Sequence, residues 1–183
     1  MNLPLQAIVA SPSYRWWTYA AVATGTFITV ADQSATAIVI APIAEDFGAD
    51  IPTAQWLAIG YMLCVSALMM PAGALADTMG RRRVWVFGLA LFAVASLLTS
   101  FSVNFGMLLA CKIFMGVGAS AIQANGLSMV AGTFSDSERG KAAGLHMTVV
   151  GLGAVGGPLL GGAIDSLLDW RAIFVFIAVV GAA

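Results

Sequence analysis

The stretch AQWLAIGYMLCVSALMMPAGALA, residues 54–76, runs 23 residues without a charge and is closed by Asp77-Thr78-Met79-Gly80-Arg81-Arg82-Arg83. At about 1.5 Å per residue it makes a helix of roughly 34 Å, enough to cross a hydrocarbon core of about 30 Å. Three arginines at one end and none at the other mark that end as the cytoplasmic boundary, because positive charge is retained on that side during insertion. The expected fold class is therefore an all-α membrane protein.

Working outward, four more apolar runs have spanning character: residues 17–41, 84–100, 105–131 and 142–164. A sixth begins at Trp170, and residues 170–183 make only about 21 Å of helix. The expectation is an incomplete sixth span, hence the front part of a longer protein or a chain that needs a partner. Composition agrees with the spans. Of 183 residues, 60% are hydrophobic and 9% charged, against about 25% charged in soluble domains, and the mean hydropathy is +0.93. A net charge of -1 and only two cysteines exclude a nucleic-acid-binding domain and a disulfide-stapled secreted fold. Cys64 and Cys111 lie inside apolar runs without CxxC spacing and read as small core hydrophobes. No metal or cofactor is expected.

The remaining charges extend the orientation. Arg15, then Arg81 to Arg83, then Arg139 and Lys141 fall on one side, while the opposite segments carry Arg171 with Glu45, Asp46, Asp50, Asp165 and Asp169. The expectation is a multi-pass protein of the cell membrane with residues 1–16 as a cytoplasmic N-terminal segment. Ser135-Asp136-Ser137-Glu138 has capping-box spacing and predicts a helix that starts before span five enters lipid.

Two charged residues fall inside the spans, Asp32 and Lys112, and each must face protein or water. Thr18, Gly25, Thr29, Asp32 and Thr36 recur at intervals of 7, 4, 3 and 4, one narrow helical stripe. Lys112, Ala119 and Gln123 share a face of span four by the same arithmetic. Asp32 lies roughly 21 Å above the inner end of its span and Lys112 roughly 11 Å below the outer end of its own, which predicts a pair at one level. Gly25, Thr29, Thr36 and Gln123 are expected to line the same interior cavity. One reading of the pair is a structural pin between helices; the other is a titratable carboxylate whose partner is exchanged during transport. A buried pair is weak evidence for stability, and threonines beside the acid suggest a wet path, which favours exchange.

Span five is rich in glycine. Gly151 to Gly156 formally matches GxGxxG, and Gly116 to Ala121 its GxGxxA variant, but both lie in spanning runs without the strand a nucleotide site needs, and Pro158 breaks the proposed helix. Gly153, Gly157 and Gly161 instead form a small-residue stripe that lets helix backbones approach closely. His146, near the inner end of span five, reads as a passive interfacial histidine, with proton relay as the other reading. Met69, Met70 and Met115 read as span packing, with an adaptable substrate surface as the alternative.

These residues carry a resemblance. Gly73 to Arg83, with Gly73, Asp77, Gly80 and Arg81 at its corners, is similar to the loop motif between spans two and three of the major facilitator superfamily. Gly153 to Gly162, centred on Gly157-Pro158, resembles that superfamily's antiporter motif. Ala31-Asp32-Gln33-Ser34-Ala35-Thr36 with Ala41-Pro42 resembles the first-span signature of the fourteen-span drug:proton antiporters. Gln55-Trp56 with Tyr61-Met62-Leu63, and Trp170-Arg171 with Ile173-Phe174, resemble its second-span and sixth-span openings. The resemblance covers the chain from Trp17 onward. It implies the N-terminal six-helix bundle of a major-facilitator fold with its sixth helix truncated, and transport by alternating access of two bundles around a midplane site. It further implies proton-coupled export of small lipophilic or cationic molecules, Asp32 as the proton carrier with Lys112 beside it, and Gly73 to Arg81 as a conformational switch loop. The implied partners are protons, a small-molecule substrate, the bilayer, and the C-terminal half of the same transporter or a partner chain. In place of the usual span-four Arg stands Lys112, with Met115 where Gln is common, and Thr78 replaces a basic residue. Proton-coupled metabolite uptake, and an inactive fragment or structural membrane subunit, remain the alternatives. No nucleophile, base and oxyanion group converge at one depth, so an enzyme is not expected.

Overall fold

The structure, a computed structural model, describes residues 12–182, so most of the expected N-terminal segment, residues 1–11, lies outside the described residues. Six long helices follow one another: α1 (Pro12–Asp46), α2 (Trp56–Met79), α3 (Arg81–Ser100), α4 (Phe105–Ala131), α5 (Arg139–Leu167) and α6 (Trp170–Ala182). One helical turn, Ile51–Ala54, precedes α2, and a 3-10 turn, Asp136–Glu138, precedes α5. Helices α1 to α5 are each long and apolar enough to cross a membrane, and α6 is apolar and shorter. Several helices outrun the apolar segments that announced them, because their charged end turns, such as Glu45–Asp46 and Arg139–Lys141, keep helical hydrogen bonds.

Local chemistry sets the joints. At the end of α1, Gly48 takes φ +61, the Gly48 N–H donates to Glu45 C=O at 3.2 Å and the Ala49 N–H to Ala44 C=O at 2.9 Å. This is a Schellman ending, which glycine adopts at little steric cost. Asp50 Oδ1 then accepts the Thr53 N–H at 3.3 Å, and Asn104 Oδ1 accepts the Met107 N–H at 2.8 Å to start α4. Gly80, at φ +97, turns α2 directly into α3. The capping box expected at Ser135 is not closed. Its hydroxyl donates to the Glu138 carboxylate at 3.0 Å and accepts no backbone N–H, and Arg15 draws that carboxylate toward α1 at 3.4 Å.

Helix α4 is the hub, packing on α1, α2, α3 and α5, while α1 packs on α5 and α6 as well, and α3 on α6. Only 11% of the apolar stretch of α2 and 17% of that of α5 is buried, against 50–56% for α1, α3 and α4. The peripheral pair therefore presents apolar surface outward. Close approach is bought with small residues. A methyl at Gly153 would come 3.0 Å from Val30 Cβ, one at Gly161 would come 3.0 Å from Ala35 Cβ, and one at Gly157 would collide with Ser34 and Ala31. Ser34 Oγ donates across this α1–α5 seam to Gly153 C=O at 3.1 Å. Gly88 and Gly118 bring α3 and α4 together in the same way. A cleft of about 610 Å³ opens between α1, α3 and α4, lined among others by Trp17, Arg81, Arg82 and Trp85. Gly181 of α6 rests on Ile28, Leu89 and Ala93 of the same α1 and α3.

Candidate functional site

Asp32 and Lys112 meet in the α1–α4 seam, and both side chains are 1% exposed. Lys112 Nζ donates to Asp32 Oδ1 at 2.8 Å, to Asp32 Oδ2 at 3.0 Å and to Thr36 Oγ1 at 2.8 Å. An ammonium has three donors, and these three oxygens can take all of them. The Thr36 hydroxyl in turn donates to Asp32 C=O at 2.7 Å. Aromatic rings close the site: Nζ stands 4.6 Å from the Phe174 ring centre and 5.5 Å from that of Tyr61. Ser96 Oγ donates to Phe174 C=O at 2.9 Å and ties that ring's helix to α3, and Tyr61 O–H reaches Thr29 C=O at 3.4 Å.

The rest of the polar stripe on α1 lies in the same seam. Thr29 is fully buried and returns its hydroxyl to Gly25 C=O at 3.1 Å. A methyl at Gly25 would come 2.6 Å from Trp85 Cζ2, so this glycine is where the indole of α3 enters. Gln123 is half-buried, and its Nε2 has no hydrogen-bond partner among the described residues. Gly25, Thr29 and Thr36 thus sit in a packed helix contact. The loop residues are elsewhere. Asp77 pairs with Arg81 one turn on, Oδ1 to Nη2 at 3.2 Å, and both side chains are largely in solvent. Gly73 has open space around it. Among the described residues no group of three or more His, Cys, Asp or Glu side chains is placed to hold a metal ion.

Chemically, the Asp32 carboxylate can hold either the ammonium or a proton. A proton added to Asp32 removes the anion that holds Lys112, so proton binding and ammonium binding compete for one carboxylate. Sequence periodicity brought the two charges to one seam, yet it did not assign Tyr61 and Phe174 to them. The signal for these rings was weak, because an aromatic in an apolar run reads as lipid-facing or core surface until the neighbouring helix is placed.

Comparison with known proteins agrees with this architecture. The family described as Major Facilitator Superfamily matches residues 22–183. Riboflavin transporter RibZ of Clostridioides difficile is 37% identical over 161 residues, 88% of this chain and 35% of that protein. The methylenomycin A resistance protein of Bacillus subtilis is 30% identical over 163 residues, 88% of this chain and 35% of its own length. Multidrug efflux pump LfrA of Mycolicibacterium smegmatis is 31% identical over 166 residues, 90% of this chain and 33% of its own. The chain spans about a third of the length of these relatives. In fold it is similar to a bacterial homolog of the human lysosomal transporter Spinster in an inward-facing, unoccupied conformation. The TM-score is 0.81 at 19% identity, over 94% of this chain and 42% of that one.

Proposed function

Because the chain belongs to the major facilitator superfamily, a family of membrane transporters rather than enzymes, we propose that it forms the N-terminal bundle of a proton-coupled exporter. Its substrates are small lipophilic or cationic molecules, and the second wall of the central site comes from a C-terminal half or a partner chain. The observation that carries the reading is the buried Asp32–Lys112 pair. A carboxylate in the α1–α4 seam, held by an ammonium with no other anion in reach among the contacts described, is suited to trade that partner for a proton. Loading from the outer side neutralises Asp32 and frees Lys112; release inward restores the pair, so proton and conformational state are linked. The N-terminus is cytoplasmic in this reading. The drug-resistance relatives support export.

A second reading, proton-coupled movement of a metabolite, is supported by the similarity to a riboflavin transporter. One experiment addresses both. The product of the full reading frame is reconstituted in liposomes with an imposed pH gradient, and uptake of a lipophilic cationic dye and of riboflavin is followed. Asp32→Asn is expected to abolish concentrative transport of the true substrate while sparing its binding, and Lys112→Arg to retain part of the activity. If Asp32→Asn still concentrates substrate to the wild-type ratio, the proton is carried elsewhere.

A further inference from the structure

We propose that the junction of α1, α4 and α5 beside Gly126 is an internal proton site, in which His146 Nδ1 and Thr26 Oγ1 share a bound water. His146 is 6% exposed and Thr26 2%, and neither polar atom has a hydrogen-bond partner among the described residues. Leaving two such groups dry and unpaired costs about 1–3 kcal/mol each, which a water with two or more polar neighbours removes.

The threonines of α1 show that the Thr26 orientation is not the helix's default. Thr24, Thr29 and Thr36 each return the hydroxyl to the carbonyl four residues earlier, at 3.0, 3.1 and 2.7 Å. Thr26 makes no such bond. Its hydroxyl lies instead toward α4, where a methyl at Gly126 would come 3.4 Å from Thr26 Oγ1 and 3.3 Å from His146 Cε1. The space that a side chain at 126 would take therefore borders both the hydroxyl and the imidazole.

Imidazole is the side chain whose ordinary titration falls near neutral pH, and its unprotonated nitrogen can take a proton from a hydrogen-bonded water. The charges around it are distant in sequence. On α1, Asp32 lies six residues outward of Thr26 and Arg15 eleven residues inward; on α4, Lys112 lies fourteen residues before Gly126. On α5 itself Lys141 and Arg139 lie toward the inner end, and α6 offers Arg171 at the outer end, paired with Asp46. Gln123 Nε2, one turn from Gly126 toward Lys112, is a third buried polar atom without a partner among the described residues. The junction thus lies about 9 Å inward of Asp32 along α1, on the route between the ion pair and the cytoplasmic side. That use rests on the proton-coupled reading; the existence of the site does not.

His146 is the single histidine of these 183 residues, so ¹⁵N-histidine labelling of the full-length protein in lipid nanodiscs, with any histidine outside them replaced, gives one ring spectrum. Magnetisation transfer from water to the ring is expected in the wild type, with ring shifts that move with pH in one step. Gly126→Ala, which fills the gap without touching charge, should abolish the transfer, and the near-isosteric Thr26→Val should weaken it with the helical content unchanged. A dry ring in the wild type, full transfer in both variants, or ring shifts that do not move with pH would overturn the proposal. Any of these results stands whether or not Asp32→Asn uncouples transport, so the two readings fail separately.

Discussion

An ammonium buried to 1% exposure is tolerable because Asp32 and Thr36 satisfy its donors, and that dependence makes the two halves of the pair unequal to mutation. Removing Lys112 leaves an anion in the seam with a hydroxyl that points away from it; removing both charges leaves a neutral contact. Lys112→Met alone is expected to lower stability by about 3–5 kcal/mol, and Lys112→Met combined with Asp32→Asn to recover most of that loss. Reversible unfolding in mixed micelles measures the cycle. Additive losses would mean that the two side chains are not coupled in the folded protein. The same contacts show how a Lys is held here. One compact point charge reaches three oxygens beside the Phe174 ring, whereas a planar guanidinium spreads its donors over a fixed fork.

At the scale of elements, the helices divide into a tightly packed set and a peripheral pair, and the motifs follow that division. The glycines of α5 bring it closely onto α1, the helix that carries Asp32. The Asp77–Arg81 contact is different, since it joins the end of α2 to the first turn of α3 across Gly80 and stays in solvent. An exposed pair at this spacing is worth only about 0.3–0.5 kcal/mol. Asp77→Asn should therefore leave the unfolding midpoint nearly unchanged while slowing transport turnover by the full-length protein. Loss of substrate affinity at normal turnover would assign the residue to binding instead of switching.

For the whole molecule, charged clasps fasten the two ends where helices leave the apolar layer. Arg171 reaches Asp46 at 2.7 Å and lies 4.3 Å over the Trp170 ring, joining α6 to the end of α1. Arg15 reaches Glu138 at 3.4 Å and lies 5.7 Å over the Phe134 ring, joining α1 to the segment before α5. Alternation of the helices puts these clasps on opposite sides of the membrane, the Arg15 end inside if positive charge sets the topology. In a full-length background with every native cysteine replaced, Cys64 and Cys111 among them, Ser137→Cys should react with an impermeant maleimide only from the cytoplasmic side, and Asp50→Cys only from the outer side. The reverse pattern would invert the orientation.

The long uncharged runs, the arginines after Asp77 and the periodic stripe on α1 sufficed to read an all-α membrane chain, its span order and the two intramembrane charges, because hydropathy and helical period act within one segment. Glycine spacing likewise marked α5 as a close-packing helix. What tertiary structure alone decided is which neighbour each face meets. It put Tyr61 and Phe174 over Lys112, sent the Trp85 indole into the gap at Gly25, and brought Thr26 and His146 to Gly126. These contacts join residues from helices far apart in the chain. No local period encodes them, since a side chain's burial and hydrogen-bond partners depend on the rotation and depth at which a second helix packs.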